Sequence, residues 1–425
     1  MRLLIFGHHS DTGFGRVTRE LGKQFLERGV DVRVIAVNHR GEPVRGALAG
    51  RVWPASLFGD GFGGNLSAGA IDGRLWRRLD RDDDWTPDQV LVVSDMSGFQ
   101  GHIGQQMTAA WLSVPVWHYC PIEGDNLPVS WRDIWNNPGN SEDSPIPFRP
   151  VAMSEYGRRV IANHLGRDVP MIYHGVDTDS FHPVSISNPV VHEGKELRTK
   201  EQCKAAFGFA LTDKVILRYD RHVPRKFYHL FLQAMVPVLA ADPDTRVVIH
   251  CRPVDEGGNL LEEIGRMPRE LWGRVGLTQA HDTWTGLPTE SLVALINAAD
   301  LYVSTTSGEG FGLTLAESLA CGVPVVVTDW AAEAEVVGPG GVLVPPLKDA
   351  YGEPVRYHST YGMDWGYPDA RGFSQPVIDL LAKPHRRKAM GEAGRAHVRR
   401  TFSWNVAADQ FMELFRSVDQ AEAAA

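Results

Sequence analysis

Two glutamates eight positions apart enclose a glycine loop and the start of a predicted helix. Glu309 precedes Gly310-Phe311-Gly312, and Glu317 lies within the helix predicted over residues 313–320. The first N–H groups of a helix have no partner within it and carry partial positive charge, so this helix start suits a phosphate. The carboxylates beside it suit sugar and ribose hydroxyls. Glutamates at this spacing also occur by chance in helical proteins, and the glycine loop is what favours a binding site.

A second group of charged residues follows a predicted strand, DKVILRYD. The next segment, RHVPRK, places Arg221 and Lys226 five positions apart. Two cations that converge on a pyrophosphate stabilise the negative charge that builds on it as a leaving group. The alternative is a solvated surface pair, which this segment on its own does not exclude.

The first half of the chain has a glycine loop of its own. Gly13-Phe14-Gly15 follows the predicted strand RLLIFG and precedes a helix, a pattern that also occurs in dinucleotide-binding dehydrogenases. Two observations disfavour such an oxidoreductase. Thr18 stands where a third glycine is expected, and the second strand ends in Val37-Asn38, without an acidic residue for the ribose.

Polar residues also follow the predicted strand VPVWHYC. His118 lies near the end of this strand, and Glu123, Asp125 and Trp131 belong to the segment CPIEGDNLPVSW that comes next. Because α/β folds bind ligands at the carboxyl ends of their strands, this segment is predicted to help bind the acceptor, the substrate that receives a transferred group. A structural histidine and a solvated acidic loop are the alternatives.

No pattern in the sequence predicts a metal site. Asp82-Asp83-Asp84 lies in a hydrophilic turn where a solvated loop is expected, and the adjacent His8 and His9 make no metal site on their own. The cysteines lie far apart without a CxxC pair, so neither zinc nor a disulfide framework is predicted, and a reducing cytoplasm is expected. They are Cys120, Cys203, Cys251 and Cys321.

Predicted strands and helices alternate twice along the 425 residues, which predicts two doubly wound α/β domains. A Gly-rich and aromatic segment, residues 348–371, is predicted to be a long ordered loop. Lys and Arg total 43 against 52 for Asp and Glu, a net charge of -9 that gives no support to broad nucleic-acid binding. The apolar run Leu3 to Phe6 is too short for a signal peptide and no run is long enough to span a membrane, so a cytoplasmic location is predicted.

Several segments, in order along nearly the whole chain, resemble the retaining GT-B glycosyltransferases of glycosyltransferase family four. The loop and helix described above resemble that family's E-x7-E donor motif, and RHVPRK resembles its Arg and Lys after the first strand of the second domain. The remaining matches are HGVDTDSFHP (174–183), TDWAAEAEVV (328–337) and FSW (402–404). The chain departs from the family at Phe227 and at Ala331-Ala332, where glycines are usual.

The resemblance implies a role for each matched residue. Glu309 would hold hydroxyls of the donor sugar and Glu317 those of the ribose, while Arg221 and Lys226 would clamp the diphosphate. His118 resembles the active-site histidine near the donor sugar and, with Arg221, Lys226 and Glu309, forms the predicted catalytic set. The other predicted donor contacts are Gly13, Gly15, Gly310 and the backbone N–H groups of Phe311, Gly312, Leu313 and Thr314.

The resemblance also implies the architecture and the reaction. The expected fold is GT-B, with two Rossmann-like domains facing a cleft: an acceptor domain at 1–183, a linker at 184–200, a donor domain at 201–402, and a last helix at 403–425 that returns to the first domain. The expected reaction is retaining and metal-independent, uses no cofactor, and takes a UDP-, GDP- or ADP-sugar as co-substrate. The acceptor stays open among a glycan, a lipid, a metabolite, a protein and a modified nucleic-acid base. A nucleotide-sugar-binding protein without turnover and a Rossmann oxidoreductase are the alternatives.

Overall fold

A computed structural model describes most of the chain, namely residues 1–9, 12–37, 39, 41–54, 85–96, 114–136, 148–278 and 286–423. The aspartate run at 82–84 and Asn38 lie outside these residues. The chain divides into two compact units. The first comprises Met1–Gly175, Thr360–Met363 and Ser403–Ala425, and the second comprises Val176–Ser359 and Asp364–Phe402.

The first unit contains a six-stranded parallel sheet in the order β3-β2-β1-β4-β5-β6. Its strands are β1 (Arg2–His8), β2 (Asp31–Val37), β3 (Val52–Pro54), β4 (Gln89–Val93), β5 (Val116–Cys120) and β6 (Arg149–Ala152). Its helices are α1 (Gly13–Glu27), α2 (Val129–Asn136), α3 (Glu155–Leu165) and, at the end of the chain, α12 (Trp404–Ala423). β4 and β5 are buried along their whole length, as strands covered by helices on both faces must be.

The second unit contains another six-stranded parallel sheet, in the order β13-β10-β9-β14-β15-β16. Its strands are β9 (Lys214–Arg218), β10 (Thr245–Ile249), β13 (Val275–Leu277), β14 (Leu301–Ser304), β15 (Val325–Thr328) and β16 (Gly341–Val344). Counted within each unit, both sheets have the strand order 3-2-1-4-5-6 of doubly wound nucleotide-binding domains. The predicted pair of Rossmann-like domains is thereby confirmed.

Helices surround the second sheet and three short hairpins decorate it. The helices are α4 (Lys200–Ala206), α5 (Tyr228–Ala241), α6 (Leu260–Gly265), α7 (Thr289–Ala298), α8 (Leu313–Ala320), α9 (Glu333–Val337), α10 (Ala370–Ala382) and α11 (Pro384–Thr401). The 3-10 turns are η1 (Pro224–Lys226), η2 (Arg269–Arg274) and η3 (Gly338–Gly340). The antiparallel hairpins are β7 (Val190–His192) with β8 (Lys195–Leu197), β11 (Val254–Asp255) with β12 (Gly258–Asn259), and β17 (Arg356–His358) with β18 (Asp364–Gly366).

The last helix returns to the first unit, as predicted. The ring of Phe411 meets those of Phe25 on α1 and Tyr119 on β5, with centroids 6.1 and 5.1 Å apart. Phe415 adds a contact to Phe25 at 6.0 Å. Since these rings are fully buried, α12 is part of the core of the first unit.

Two segments without a clear sequence period are ordered. Residues 184–200, predicted as the linker, contain the hairpin of β7 and β8, where His192 shares a hydrogen bond of 3.0 Å with Ser291. Residues 348–371 contain the hairpin of β17 and β18, on which Tyr357 stacks with Trp365. The domain boundaries themselves stay predictions. No helix within the described part of the chain is long and apolar enough to cross a membrane.

Candidate donor-binding site

The candidate site lies at the carboxyl edge of the second sheet, where β9 and β14 are neighbours and the strand order reverses. Open α/β sheets bind ligands at this position, because helices that leave adjacent strands in opposite directions open a crevice there. Charged and polar residues lie just beyond both strands: Asp220 lies two residues after β9, and Thr305 follows β14 directly.

A fully buried arginine forms the floor of the site. The Arg218 guanidinium donates to Thr305 Oγ1 at 2.9 Å, to Asp220 at 3.2 Å and to the backbone carbonyl of Lys226. It also lies 3.8 Å from the centre of the Tyr228 ring. Burial alone would raise the pKa of Asp220, but Arg218 and Lys226 hold that pKa at about 2. Arg218 therefore fixes the carbonyl of the residue whose side chain enters the site.

Two adjacent cations converge on Glu309. Lys226 ends the turn η1 and forms a buried ion pair with one carboxyl oxygen of Glu309, while Arg225 Nη1 lies 3.2 Å from the other. Arg225 also donates to the Gly308 carbonyl at 2.8 Å, which ties the turn to the glutamate loop. The two cations thus pair with different oxygens of one carboxylate.

The cluster has an excess of positive charge. Burial would raise the pKa of Glu309, yet Lys226 and Arg225 lower it, so this carboxylate is ionised. Arg218, Arg225 and Lys226 oppose two carboxylates, Asp220 and Glu309, which leaves one positive charge. Charges in such a poorly solvated edge interact far more strongly than in water, so the cluster attracts an anion.

The predicted phosphate-binding helix starts beside this cluster. Gly312 precedes α8 with φ of 96°, a left-handed conformation that suits glycine, and Phe311 is buried against Phe402 at 5.0 Å between ring centroids. Thr314 Oγ1 shares a hydrogen bond of 3.0 Å with the Tyr302 hydroxyl, and Leu313 is half-buried beside it. The first turn of α8 is thus held in position from two sides.

Glu317 is fixed one turn further along α8. It is only 2% exposed, and one carboxyl oxygen lies 3.5 Å from the Tyr219 hydroxyl. That hydroxyl also donates to the Thr314 carbonyl at 2.7 Å. Glu309 and Glu317, predicted from the glycine loop, the helix start and the E-x7-E resemblance, therefore belong to the same edge of the sheet.

Arg221 is placed differently from Lys226. Its side chain is 62% exposed and pairs with Asp255 at 3.2 Å and with Glu256 at 2.7 Å, both at the hairpin of β11 and β12. Arg225, which the sequence reasoning did not select, is the arginine that joins Lys226 at Glu309. The diphosphate clamp of Arg221 and Lys226 stays a prediction.

Two of the three positions where the family usually has glycine have a left-handed backbone, and the third, Ala332, has φ of -83°. Phe227 has φ of 46° and Ala331 has φ of 53°, both in the left-handed region. A residue with a Cβ is strained there by about 1–2 kcal/mol. The Phe227 ring offsets this by packing on Tyr367 at 5.1 Å.

His118 is a fully buried residue of the first unit. Its Nε2 lies 3.1 Å from the Ser94 carbonyl and its Nδ1 accepts a hydrogen bond of 3.2 Å from Trp135 Nε1. Burial lowers the pKa of His118 to about 4, so the ring is neutral at physiological pH. This arrangement is typical of a structural histidine, and the catalytic role stays a prediction.

The remaining candidates in the first unit follow β1 and β5. Thr12 caps α1 by accepting from the Gly15 N–H at 3.1 Å, with Gly13 exposed at the helix start. Asp125 is half-buried and accepts a hydrogen bond of 2.8 Å from the Tyr156 hydroxyl. Glu123, two residues earlier, is also half-buried. Trp131 is 4% exposed and packs on Trp135. It is a core residue, which sequence spacing could not distinguish from a surface one.

Two residues of the charged cluster escaped the sequence reasoning: Asp220 and Arg225. Asp220 lies 3.8 Å from Lys226, and its position just after a buried strand was the signal that could have found it. Across the described residues, no group of three or more His, Cys, Asp or Glu side chains is arranged to hold a metal ion.

Residues 213–355 match the family model described as "Glycosyl transferases group 1". A GDP-mannose-dependent monoacylated α-(1-6)-phosphatidylinositol monomannoside mannosyltransferase of Corynebacterium glutamicum is 28% identical over 57% of this chain and 55% of its own length. A D-inositol 3-phosphate glycosyltransferase of Segniliparus rotundus is 30% identical over 51% of this chain and 43% of its own length. The chain thus spans about half the length of the curated relatives it matches.

Solved structures are similar over the whole chain. A sucrose-phosphate synthase of Thermosynechococcus elongatus superposes with a TM-score of 0.70 at 17% identity, over 99% of this chain and 100% of that one. HepE of Anabaena, solved with UDP and glucose, has a TM-score of 0.66 at 16% sequence identity, and the match covers 98% of this chain and 100% of HepE. WaaG, a glycosyltransferase involved in lipopolysaccharide biosynthesis, has a TM-score of 0.62 at 12% sequence identity, and the match covers 96% of this chain and 99% of WaaG. Residues 213–355 are therefore a group 1 glycosyltransferase domain, and the chain has the GT-B fold.

Proposed function

We propose that this protein is a retaining, metal-independent glycosyltransferase that takes its sugar from a nucleoside diphosphate donor. The observation that carries the proposal is the buried cluster of Lys226, Arg225 and Glu309 beside the start of α8. The cluster combines an excess positive charge for a diphosphate with a carboxylate for sugar hydroxyls. The family match over residues 213–355 supports the same reaction class.

The diphosphate binds to Lys226 and Arg225 and to the first N–H groups of α8. Arg221 joins it from the surface. Its pair with Glu256 is exposed and of the kind that contributes only about 0–1 kcal/mol, whereas its pair with the mostly buried Asp255 must also be given up when Arg221 turns to the diphosphate. Glu309, displaced from Lys226, then accepts hydrogen bonds from the donor sugar, and Glu317 accepts from the ribose.

Transfer proceeds on one face of the sugar. The bond from the anomeric carbon to the phosphate oxygen breaks, the acceptor oxygen bonds to the same face, and the acceptor proton passes to the departing phosphate oxygen. Negative charge grows on the diphosphate as that bond lengthens, and Lys226 stabilises it most in the transition state. Such a reaction needs no carboxylate nucleophile, in contrast to retaining glycosidases.

GDP-mannose is the first donor to test, and an inositol phosphate is the first acceptor. Relatives of this chain are named as GDP-mannose-dependent mannosyltransferases and D-inositol 3-phosphate glycosyltransferases. UDP-glucose is the second donor, since HepE was solved with it. Calorimetry with GDP-mannose, UDP-glucose and the free nucleoside diphosphates measures the donor preference directly.

The full proposal is tested by proton NMR of the fresh product. Retention gives an anomeric coupling that matches the donor, and an inverted linkage would contradict the mechanism. Turnover in excess chelator tests metal independence, and activity that is lost and then restored by magnesium or manganese would contradict it.

A nucleotide-sugar-binding protein without turnover is the second candidate, because binding needs the same cluster. It predicts donor affinity without product or donor hydrolysis for any acceptor offered. The oxidoreductase alternative is not favoured by the group 1 glycosyltransferase match.

A further inference from the structure

Glu333 is a fully buried carboxyl group that the proposed reaction does not use. It begins α9 and lies 0% exposed, five residues after the end of β15. Neither carboxyl oxygen has a partner at hydrogen-bond geometry among the described residues. Burial raises the pKa of Glu333 well above its usual range, and the charge of Glu309 raises it further. A buried carboxyl group whose protonated form is favoured thus lies close to Glu309, the proposed sugar ligand.

The loop that carries Glu333 is held firmly in an unfavourable conformation. The Ala332 N–H donates to the Glu309 carbonyl at 3.3 Å, which joins the loop to the glutamate loop of the site. On the other side, Gly366 of the hairpin packs so closely on Trp330 that an added Cβ would lie 2.5 Å from the ring. Between these contacts Ala331 keeps φ of 53°. The fold therefore imposes the position of Glu333.

Unpartnered polar groups concentrate at this edge. Besides Glu333, the Ser307 hydroxyl, the Thr328 hydroxyl and the Trp330 indole N–H are buried without a hydrogen-bond partner within the described residues. These residues all lie at the ends of β14 and β15 or just beyond them. Buried polar groups in native proteins are nearly always paired, and leaving one unpaired destabilises the fold. Strain and unpaired groups that occur together point to a ligand rather than to packing.

We propose that Glu333 binds a hydroxyl group of the donor sugar, next to Glu309, and thereby helps to set which hexose the protein accepts. This assignment rests on the function proposed above. It names the second carboxyl of the sugar pocket and makes Glu333 a specificity-determining residue.

The chemistry of a neutral carboxylic acid fits this role. It offers one O–H donor and one carbonyl acceptor, which match the acceptor and donor of a sugar hydroxyl. An ionised second carboxylate beside Glu309 would repel both it and the diphosphate. Because hydroxyl recognition by a buried group depends on orientation, the pocket distinguishes epimeric sugars more strongly than it distinguishes nucleotides.

The test compares two variants and two kinds of ligand. Glu333→Gln keeps a donor and an acceptor, whereas Glu333→Leu removes both at similar volume. For each protein, calorimetry measures the affinity for GDP-mannose, UDP-glucose, GDP and UDP. Thr245→Val is the matched control, since the Thr245 hydroxyl is also buried and unpartnered but lies on β10 at the opposite edge of the sheet.

We expect Glu333→Leu to lower the affinity for the nucleotide sugars by about tenfold and the affinity for the nucleoside diphosphates by less than about twofold. Glu333→Gln should stay within about threefold of wild type for both, and Thr245→Val should change neither. Equal effects of Glu333→Leu on both ligands, or none on either, would overturn the assignment.

The outcomes for wild type separate this inference from the proposed function. A wild-type protein that binds none of the four ligands would refute the proposed function, and the assignment of Glu333 with it. If the wild-type protein binds these ligands and Glu333→Leu binds the nucleotide sugars with unchanged affinity, the assignment of Glu333 is refuted and the proposed function stands. If Glu333→Leu fails to fold, Glu333→Ala takes its place, since it also removes both the donor and the acceptor. Tenfold weaker nucleotide-sugar binding with nearly unchanged binding of the nucleoside diphosphate then supports the assignment, and equal effects on both ligands, or none on either, overturn it.

Discussion

The two edges of the second sheet each carry a buried cluster of charges, and the clusters differ in how well they are satisfied. At the amino edge, just before β14, Asp300 pairs with Lys200 at 3.1 Å, Lys204 at 3.2 Å and Arg387 at 3.6 Å. It also accepts 2.9 Å from the Val215 N–H. Burial would raise the pKa of Asp300, but Lys200 and Lys204 lower it.

The carboxyl edge is built in the opposite way. Arg218, Arg225 and Lys226 outnumber the ionised Asp220 and Glu309. Among the described residues the Glu333 carboxyl group has no hydrogen-bond partner and its pKa is raised, and Phe227 and Ala331 hold left-handed backbone conformations. Satisfied charges stabilise a fold, whereas an imbalance held in place by the surrounding structure is available for a ligand. The comparison therefore assigns stability to the amino edge and binding to the carboxyl edge.

The largest expected effect concerns Lys226. Lys226→Met removes the charge that opposes the departing diphosphate, so kcat should fall by about 10²–10³, or roughly 2.7–4 kcal/mol, with a smaller change in the acceptor KM. Lys204→Met is the matched control, because it removes an equally buried lysine from the amino edge. It should lower the melting temperature and leave kcat within about twofold. Comparable kcat values in the two variants would erase the distinction between the edges.

The next effect tests the amino edge itself. Asp300→Asn leaves three cations around a neutral group, so unfolding free energy should fall by about 3 kcal/mol, the lower end for a broken buried pair because Lys200 is partly exposed. Donor affinity of the folded variant should not change. Glu392→Gln breaks the exposed pair of Lys388 and Glu392 and should alter stability by less than about 0.5 kcal/mol. Denaturant unfolding measures both, and a donor-binding defect in Asp300→Asn would contradict the assignment.

A smaller effect depends on pH. The raised pKa of Glu333 means that the native state keeps a proton that the unfolded chain has lost, so this group's contribution to stability falls as pH rises above about 4.3. The glutamine of Glu333→Gln does not titrate, so this variant lacks the fall in stability that Glu333 causes as pH rises. Its melting temperature should match wild type near about pH 4 and exceed it by about 2 °C or more near pH 8. Glu309 and Lys226, which lie near Glu333, and the low-pKa Asp220 and Asp300 are unchanged in both proteins. A difference that shrinks with rising pH would show that Glu333 is ionised.

The smallest effect concerns backbone strain at the carboxyl edge. Ala331→Gly relieves the left-handed conformation but adds freedom to the unfolded chain, so a net gain of about 0.5 kcal/mol is expected in thermal unfolding. Gly208→Ala provides the reverse case. Gly208 has φ of 77° with open space for a Cβ, so the variant should lose about 1 kcal/mol from the backbone alone. A destabilised Ala331→Gly would mean that its methyl group packs usefully.

The sequence predicted the parts of the site that depend on local pattern. Glu309 and Glu317 were found because a glycine loop, a helix and a buried strand follow one another within a short stretch. The return of α12 followed from the family resemblance, and its buried aromatic face bears it out. Trp131 shows the limit, since an aromatic residue that follows a strand has the same local pattern whether it faces a ligand or the core.

What the sequence determined by itself is the type and order of the elements, because buried parallel strands, helix starts and glycine loops each require particular residues within a few positions. Only the tertiary structure decided which charges meet. Lys226 and Glu309 are far apart in the chain, and Arg225 rather than Arg221 joins them because the turn at Pro224 directs it there. Glu333 has no local signature at all. Its raised pKa arises from burial beside Glu309, which is a property of the packed sheet edge and not of the residues around it in the chain.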